Sequence, residues 1–170
     1  LALFTSARFR DATGYAEVAA NVYDVKVVPA GAGPDQAVIE ANLSLFYGAD
    51  YTVVATDMFE NIGALVLVDD NTPPANGQAR VRFLHAVPDG PAVDLKVVDG
   101  PFLFQDLSFE QAGHYVDVPM NDYSLELRVA GTETVVLDLD SVLFESGGVY
   151  TVVATGRLDD ESLGFLIVED

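Results

Sequence analysis

The chain has 170 residues, half of them apolar, and a net charge of −19 from 27 acidic against eight basic residues. So negative a surface repels phosphate backbones and anionic lipid, which makes nucleic acid and membrane surfaces poor partners and favours an acidic, solvated exterior or loose cation binding. The absence of cysteine removes zinc-thiolate sites, thiol catalysis and disulfides together, and there is no apolar run of about 18 residues that would insert in a membrane.

From the front, the chain opens at Leu1 with no basic-then-apolar leader, so the expectation is that a signal peptide has been removed or that this is a piece of something longer. The first strong alternation is Tyr23, Val25 and Val27 against Asp24 and Lys26, which predicts a half-buried strand. YTVVAT follows at Tyr51–Thr56; it is apolar on both faces and reads as a central strand. ALVLVDD, Ala64 to Asp70, ends the first segment. The prolines and asparagines around 71–78 then predict a stiff, extended linker.

Beyond the linker the pattern becomes denser. Strands are expected near 79–86, 92–98, 101–104, 114–118, 122–130, 134–140, 149–156 and 162–168, separated by glycine and proline clusters. In DYSLELRV, Tyr123, Leu125, Leu127 and Val129 share one face, and Ser124, Glu126 and Arg128 point to the other. The best helical candidate, LSFEQAG, is about one turn long. Short strands at close spacing predict an all-β chain built from antiparallel sandwiches of immunoglobulin-like or transthyretin-like size.

YTVVAT recurs at Tyr150–Thr155, and the match extends outward from it. Leu3-Phe4, Phe9, Tyr15, Val18, Asn21 and Tyr23 match Leu103-Phe104, Phe109, Tyr115, Val118, Asn121 and Tyr123 at a constant offset of 100, and YTVVAT itself lies at 99. ALVLVDD is then laid on GFLIVED, Gly164 to Asp170, at 100 again. Ordered identities of this kind indicate duplication. The two copies are 1–70 and 79–170, and the first is expected to lack its first two strands, since nothing in it corresponds to ARVRFLHAVPDGPAVDLKVVDG.

That unduplicated stretch is the most individual part of the sequence. With the Tyr123–Gly131 region and the Gly-x-Tyr-Thr-Val-Val-Ala strand, it resembles the DUF4397 family: His85, Ala86, Pro88, Asp89, Pro91 and Asp94 match a His-Ala-x-Pro-Asp-x-Pro turn leading into a Val-Asp-Val-type strand. Gly90 stands where alanine is common, and Lys96 occupies a position often aromatic or polar. The resemblance covers 79–170 and, without its front, 1–70. It implies an exported bacterial or archaeal β-domain, often in tandem and on cell-surface proteins, with no established catalytic activity.

Read for chemistry, the residues offer little. His85 is expected to serve a turn, bonding a backbone carbonyl or Asp89; acid–base work would need a nucleophile or third ligand that is not encoded nearby. His114, the other histidine, is expected at the surface. Oxygen ligands of the type calcium takes occur in loops at Asp69, Asp70, Asp159, Asp160 and Glu161, without the spacing of an EF-hand. The expected function is therefore a non-catalytic, extracellular or cell-surface structural module without a cofactor. Its partners are other copies of itself or neighbouring repeats of a longer chain, with strand donation into a head-to-tail polymer as one route. A module binding calcium or surface glycan is the alternative.

Overall fold

The computed structural model describes residues 2–170; Leu1, where the first copy is expected to begin, lies outside the described residues. The chain divides into two compact units, Leu1–Asp69 and Asp70–Asp170. Apart from one 3-10 turn over Pro34–Gln36, every described regular element is a strand. The all-β expectation holds.

Unit 1 contains β1 (Asn21–Val27), β2 (Ile39–Leu45), β3 (Asp50–Thr56) and β4 (Gly63–Asp69). These form two separate two-stranded sheets, β1 with β2 and β3 with β4, both antiparallel. Unit 2 contains β5 (Gln78–Ala86), β6 (Val93–Val97), β7 (Phe102–Leu107), β8 (Val116–Pro119), β9 (Asn121–Val129), β10 (Val135–Phe144), β11 (Val149–Thr155) and β12 (Gly164–Glu169). They build two four-stranded sheets, β10-β9-β6-β7 and β12-β11-β5-β8. All pairings are antiparallel except β11 with β5, which run parallel from Val149↔Arg80 to Thr155↔Ala86. Sequence alternation indicates which residues share a face and carries no information on strand direction, so this parallel pair was not anticipated.

The inner faces of the two sheets of unit 2 enclose one core. Phe83 and Val152 from one sheet meet Leu95, Leu125, Leu127 and Phe144 from the other, all essentially without solvent exposure. Burying each such side chain contributes about 1.5–3 kcal/mol relative to leaving it in water. Phe104 closes the core, with its ring centroid 5.9 Å from that of Phe83. It lies so close to Gly113 that a Cβ there would stand 2.3 Å from the ring, so only glycine fits.

The duplication is visible atom by atom. Tyr23 Oη donates to the Ala19 carbonyl at 2.8 Å as Tyr123 Oη does to that of Pro119 at 2.7 Å. Tyr51 Oη accepts from the Phe46 amide at 3.2 Å, as Tyr150 Oη does from that of Glu145. Left-handed backbone recurs at Ser6 and Asp106, at Arg10 and Glu110, and at Gly31 and Gly131. One part of the expected alignment changes: Thr56 pairs with Gly63 and Thr155 with Gly164, so the last strands correspond at an offset of 101. Asp69, not Asp70, is therefore the counterpart of Asp170.

The units differ in what is missing. β5 and β6 are interior strands of the two sheets in unit 2, and among the described residues of unit 1 neither has a counterpart. Residues 2–7 and 16–19 of unit 1 correspond to β7 and β8, whose pairing partners are β6 and β5, and they form no strand. A strand without a neighbour has no ladder to satisfy its amides and carbonyls. Taking out two central strands thus removes two more and leaves a pair of hairpins.

Candidate functional site

The family-motif turn between β5 and β6 is tightly bonded. His85 is fully buried; its Nε2 lies 2.9 Å from the Pro91 carbonyl and its Nδ1 accepts from the Val87 amide at 3.2 Å. These partners select the neutral ring with its proton on Nε2, donating to Pro91. Burial pushes the His85 pKa below its ordinary value, partly offset by the bond to Pro91. The space beside the ring, lined by Val87, Gly90, Pro91 and Leu163 among others, is about 10 Å³, room for a single water and not for a substrate.

Asp89 does not reach His85. From the tip of the turn, beside Pro88, it accepts from the Leu158 amide at 3.0 Å and the Asp159 amide at 3.1 Å. Partial burial raises the carboxyl pKa, but these bonds and the nearby Arg157 outweigh it and hold the group below its ordinary value. Asp94, buried on β6, accepts from the Asp106 amide at 2.7 Å and the Gly131 amide at 3.0 Å, tying β6 to the end of β7 and to the turn after β9. Both amides belong to left-handed residues, a backbone state in which glycine is favoured and a non-glycine such as Asp106 is uncommon.

The loop carboxylates considered for calcium are spread over different local bonds. Asp70 pairs with Arg80 at 2.9 Å, and the Thr72 hydroxyl and amide hold its pKa down. Asp159 pairs with Arg157, and Asp160 accepts from the Ser162 amide at 3.0 Å. Glu161 sits beside them on a left-handed residue. Among the described residues no three His, Asp or Glu side chains gather into a metal-binding group. His114 is exposed.

The most elaborate polar arrangement was not singled out from the sequence. Arg82, on the β5 face that carries Arg80, is only 3% exposed. Its Nη2 donates to Thr151 Oγ1 at 2.9 Å and lies 3.7 Å from Asp170 Oδ2, and its guanidinium lies 4.7 Å from the centre of the Tyr115 ring. Asp170 Oδ2 in turn accepts from Tyr115 Oη at 2.8 Å and Thr151 Oγ1 at 2.7 Å. The signal was present in Arg-x-Arg, two of eight basic residues in an otherwise acidic chain, alternating with Val81 and Phe83. Unit 1 repeats the two hydroxyl–carboxylate bonds of this arrangement. Asp69 Oδ2 accepts from Tyr15 Oη at 2.7 Å and from Thr52 Oγ1 at 2.8 Å.

A family profile described as a domain of unknown function, DUF4397, matches residues 2–96 and again 80–170. No curated protein matches the chain significantly. Among solved structures, the C-terminal domain of AlgF from P. aeruginosa is similar at 23% identity and a TM-score of 0.41, over 57% of this chain and all of that one.

Proposed function

The chain belongs to the DUF4397 family as two tandem copies, and from that premise we propose that it is a non-catalytic, exported structural and interaction module whose first unit is completed by strand donation. The observation that carries this reading is the pair of two-stranded sheets in unit 1, standing where unit 2 has two four-stranded ones. β3 ends its sheet on the side where its counterpart β11 holds β5, and β1 ends its sheet where β9 holds β6.

Such edges are templates for another strand, and the apolar side chains around them favour covering. Phe4 is 50% exposed where Phe104 is 6%, and Val53 is 46% exposed where Val152 is fully buried. A strand pair laid between the hairpins satisfies the ladders and covers both faces at once, which is β-strand addition. The turn chemistry of His85, Asp89 and Asp94 supports a structural role for the family motif, since each group is engaged with backbone and the void beside His85 admits no substrate.

When the donated pair comes from another subunit, the contact is heterologous and propagates into an open filament. Light scattering across a concentration series, with negative-stain electron microscopy, tests this. Growing assemblies are expected, and a monomer that persists at high concentration would retire subunit-to-subunit donation.

A further inference from the structure

We propose that unit 1 identifies an incoming strand pair by its two motif aspartates, which it receives on backbone amides. The occupant is a β5–β6-type pair from another domain of this family, with aspartate at the positions of Asp89 and Asp94. This inference rests on reading unit 1 as a strand acceptor, and adds how the donor is recognised.

Unit 2 shows how the two carboxylates are held. Asp94, 3% exposed on β6, accepts from the amides of Asp106 and Gly131, and Asp89, at the tip of the β5–β6 turn, accepts from those of Leu158 and Asp159. All four donors are backbone groups, so they persist in any copy that keeps the same corners. Unit 1 keeps them. Ser6 and Gly31 stand at the positions of Asp106 and Gly131, with φ of 60° and 85° against 55° and 68°. The turn at Gly31 closes through the Ala32 amide on the Pro29 carbonyl at 2.9 Å, as the Thr132 amide closes on that of Val129 at 3.0 Å. After β3, left-handed Asp57 takes the place of left-handed Gly156, which sets Phe59 and Glu60 at the positions of Leu158 and Asp159. Among the described residues, nothing in unit 1 accepts from the Ser6, Gly31, Phe59 or Glu60 amides.

Charge ranks the two landing points. Ser6 replaces Asp106, so the incoming Asp94-type carboxylate meets one like charge fewer than in unit 2. The corner at Ser6 is left-handed, which is uncommon for a residue with a side chain, and it holds that shape although its stretch forms no strand. At the other point Met58 stands where unit 2 has Arg157, whose Nε lies 3.9 Å from Asp89, and Glu60 keeps the negative charge of Asp159. The Asp89-type carboxylate therefore gains two amides and no cation. Amide bonds to a carboxylate are charge-assisted, and a strand without the acid leaves those amides unpaired once the sheet closes over them. The corners thus act against strands that lack the aspartates, chiefly at the Asp94 position.

The test uses the full chain in dilute solution and a labelled synthetic peptide with the sequence of Gln78–Val98, with hydrogen exchange read amide by amide. The unmodified peptide is expected to bind and to slow exchange at Ser6, Gly31, Phe59 and Glu60. Asp94→Ala in the peptide should weaken binding by about tenfold or more and release Ser6 and Gly31 alone; Asp94→Asn, which keeps one acceptor oxygen, should fall between. Asp89→Ala should cost about threefold and release Phe59 and Glu60. If all the peptides bind equally well and protect the four amides alike, strand addition stands and the aspartates do not direct it. If no peptide binds, or protection changes only at Asp106, Gly131, Leu158 and Asp159, the acceptor reading itself falls.

Discussion

The two copies of YTVVAT form strands in both units, but in different settings. In unit 2 the hexapeptide lies between β12 and β5, and its side chains are almost wholly covered; in unit 1 it is one strand of a two-stranded hairpin. Same letters, same local geometry, different burial. The comparison separates what a short sequence specifies by itself, an extended strand and its turns, from what it obtains only through neighbours far along the chain. The tyrosine bonds and left-handed corners recur in both units because they are local, and the core does not because it requires β5 and β6.

The sharpest way to break the comparison is to delete matching aromatic rings. Phe104→Ala opens a cavity in a closed core and should cost unit 2 about 4 kcal/mol. Phe4→Ala, at the corresponding position, should change unit 1 by less than about 0.5 kcal/mol. Denaturant unfolding followed by unit-resolved hydrogen exchange reads both; equal losses would mean that unit 1 holds a comparable core in solution. Next in size, Arg82→Met removes one partner of a buried ion pair and should destabilise unit 2 by about 3 kcal/mol. A following Asp170→Asn should recover part of that loss. A second change that only adds to the first would show that the two groups do not interact.

The smallest effect is one of pH. His85 has its folded pKa lowered by burial, so the unfolded chain binds a proton that unit 2 refuses. The stabilisation is present above the unfolded value and is lost as pH falls below about 6.5, by at most about 1.4 kcal/mol per pH unit for one proton. Unit 1 has no histidine and should show no such slope. Melting curves between pH 7 and 5.5 test this, since the lowered carboxyl groups of Asp70, Asp89 and Asp160 act only at more acid pH. A slope that survives His85→Gln would assign the effect elsewhere.

Strand positions in unit 2 were legible because period-two alternation and glycine or proline turns mark them directly, and each observed strand overlaps an expected one. The loss of the strands corresponding to β7 and β8 in unit 1 was not legible. Leu3-Phe4 and Tyr15-to-Val18 resemble their counterparts closely, and their failure to pair follows from absent neighbours. Glu126 was expected in solvent by alternation, yet it is buried and paired with Arg128 at 2.6 Å and Lys96 at 3.5 Å. Arg82 escaped notice for the same reason. Alternation says which way a side chain points, and says nothing of what another strand or a carboxylate side chain beyond the strand's end lays over it. The shift from Asp70 to Asp69 was likewise decided by the β3–β4 ladder, where a repeated DD left the letters ambiguous.

The parallel pairing of β5 with β11 has a mechanical consequence. Because β12 returns antiparallel to β11, the unit enters and leaves at one end of the same sheet: the Gly147 amide bonds the Gln78 carbonyl at 2.8 Å, and the Asp170 amide bonds that of Val149 at 2.8 Å. Tension applied through those two ends acts across the strands and not along them. It loads the Tyr150↔Glu169 pair first, then each pair behind it in turn. Unit 2 pulled in this way yields by peeling, one rung at a time, where a sheet gripped at opposite ends would resist with all its rungs in shear.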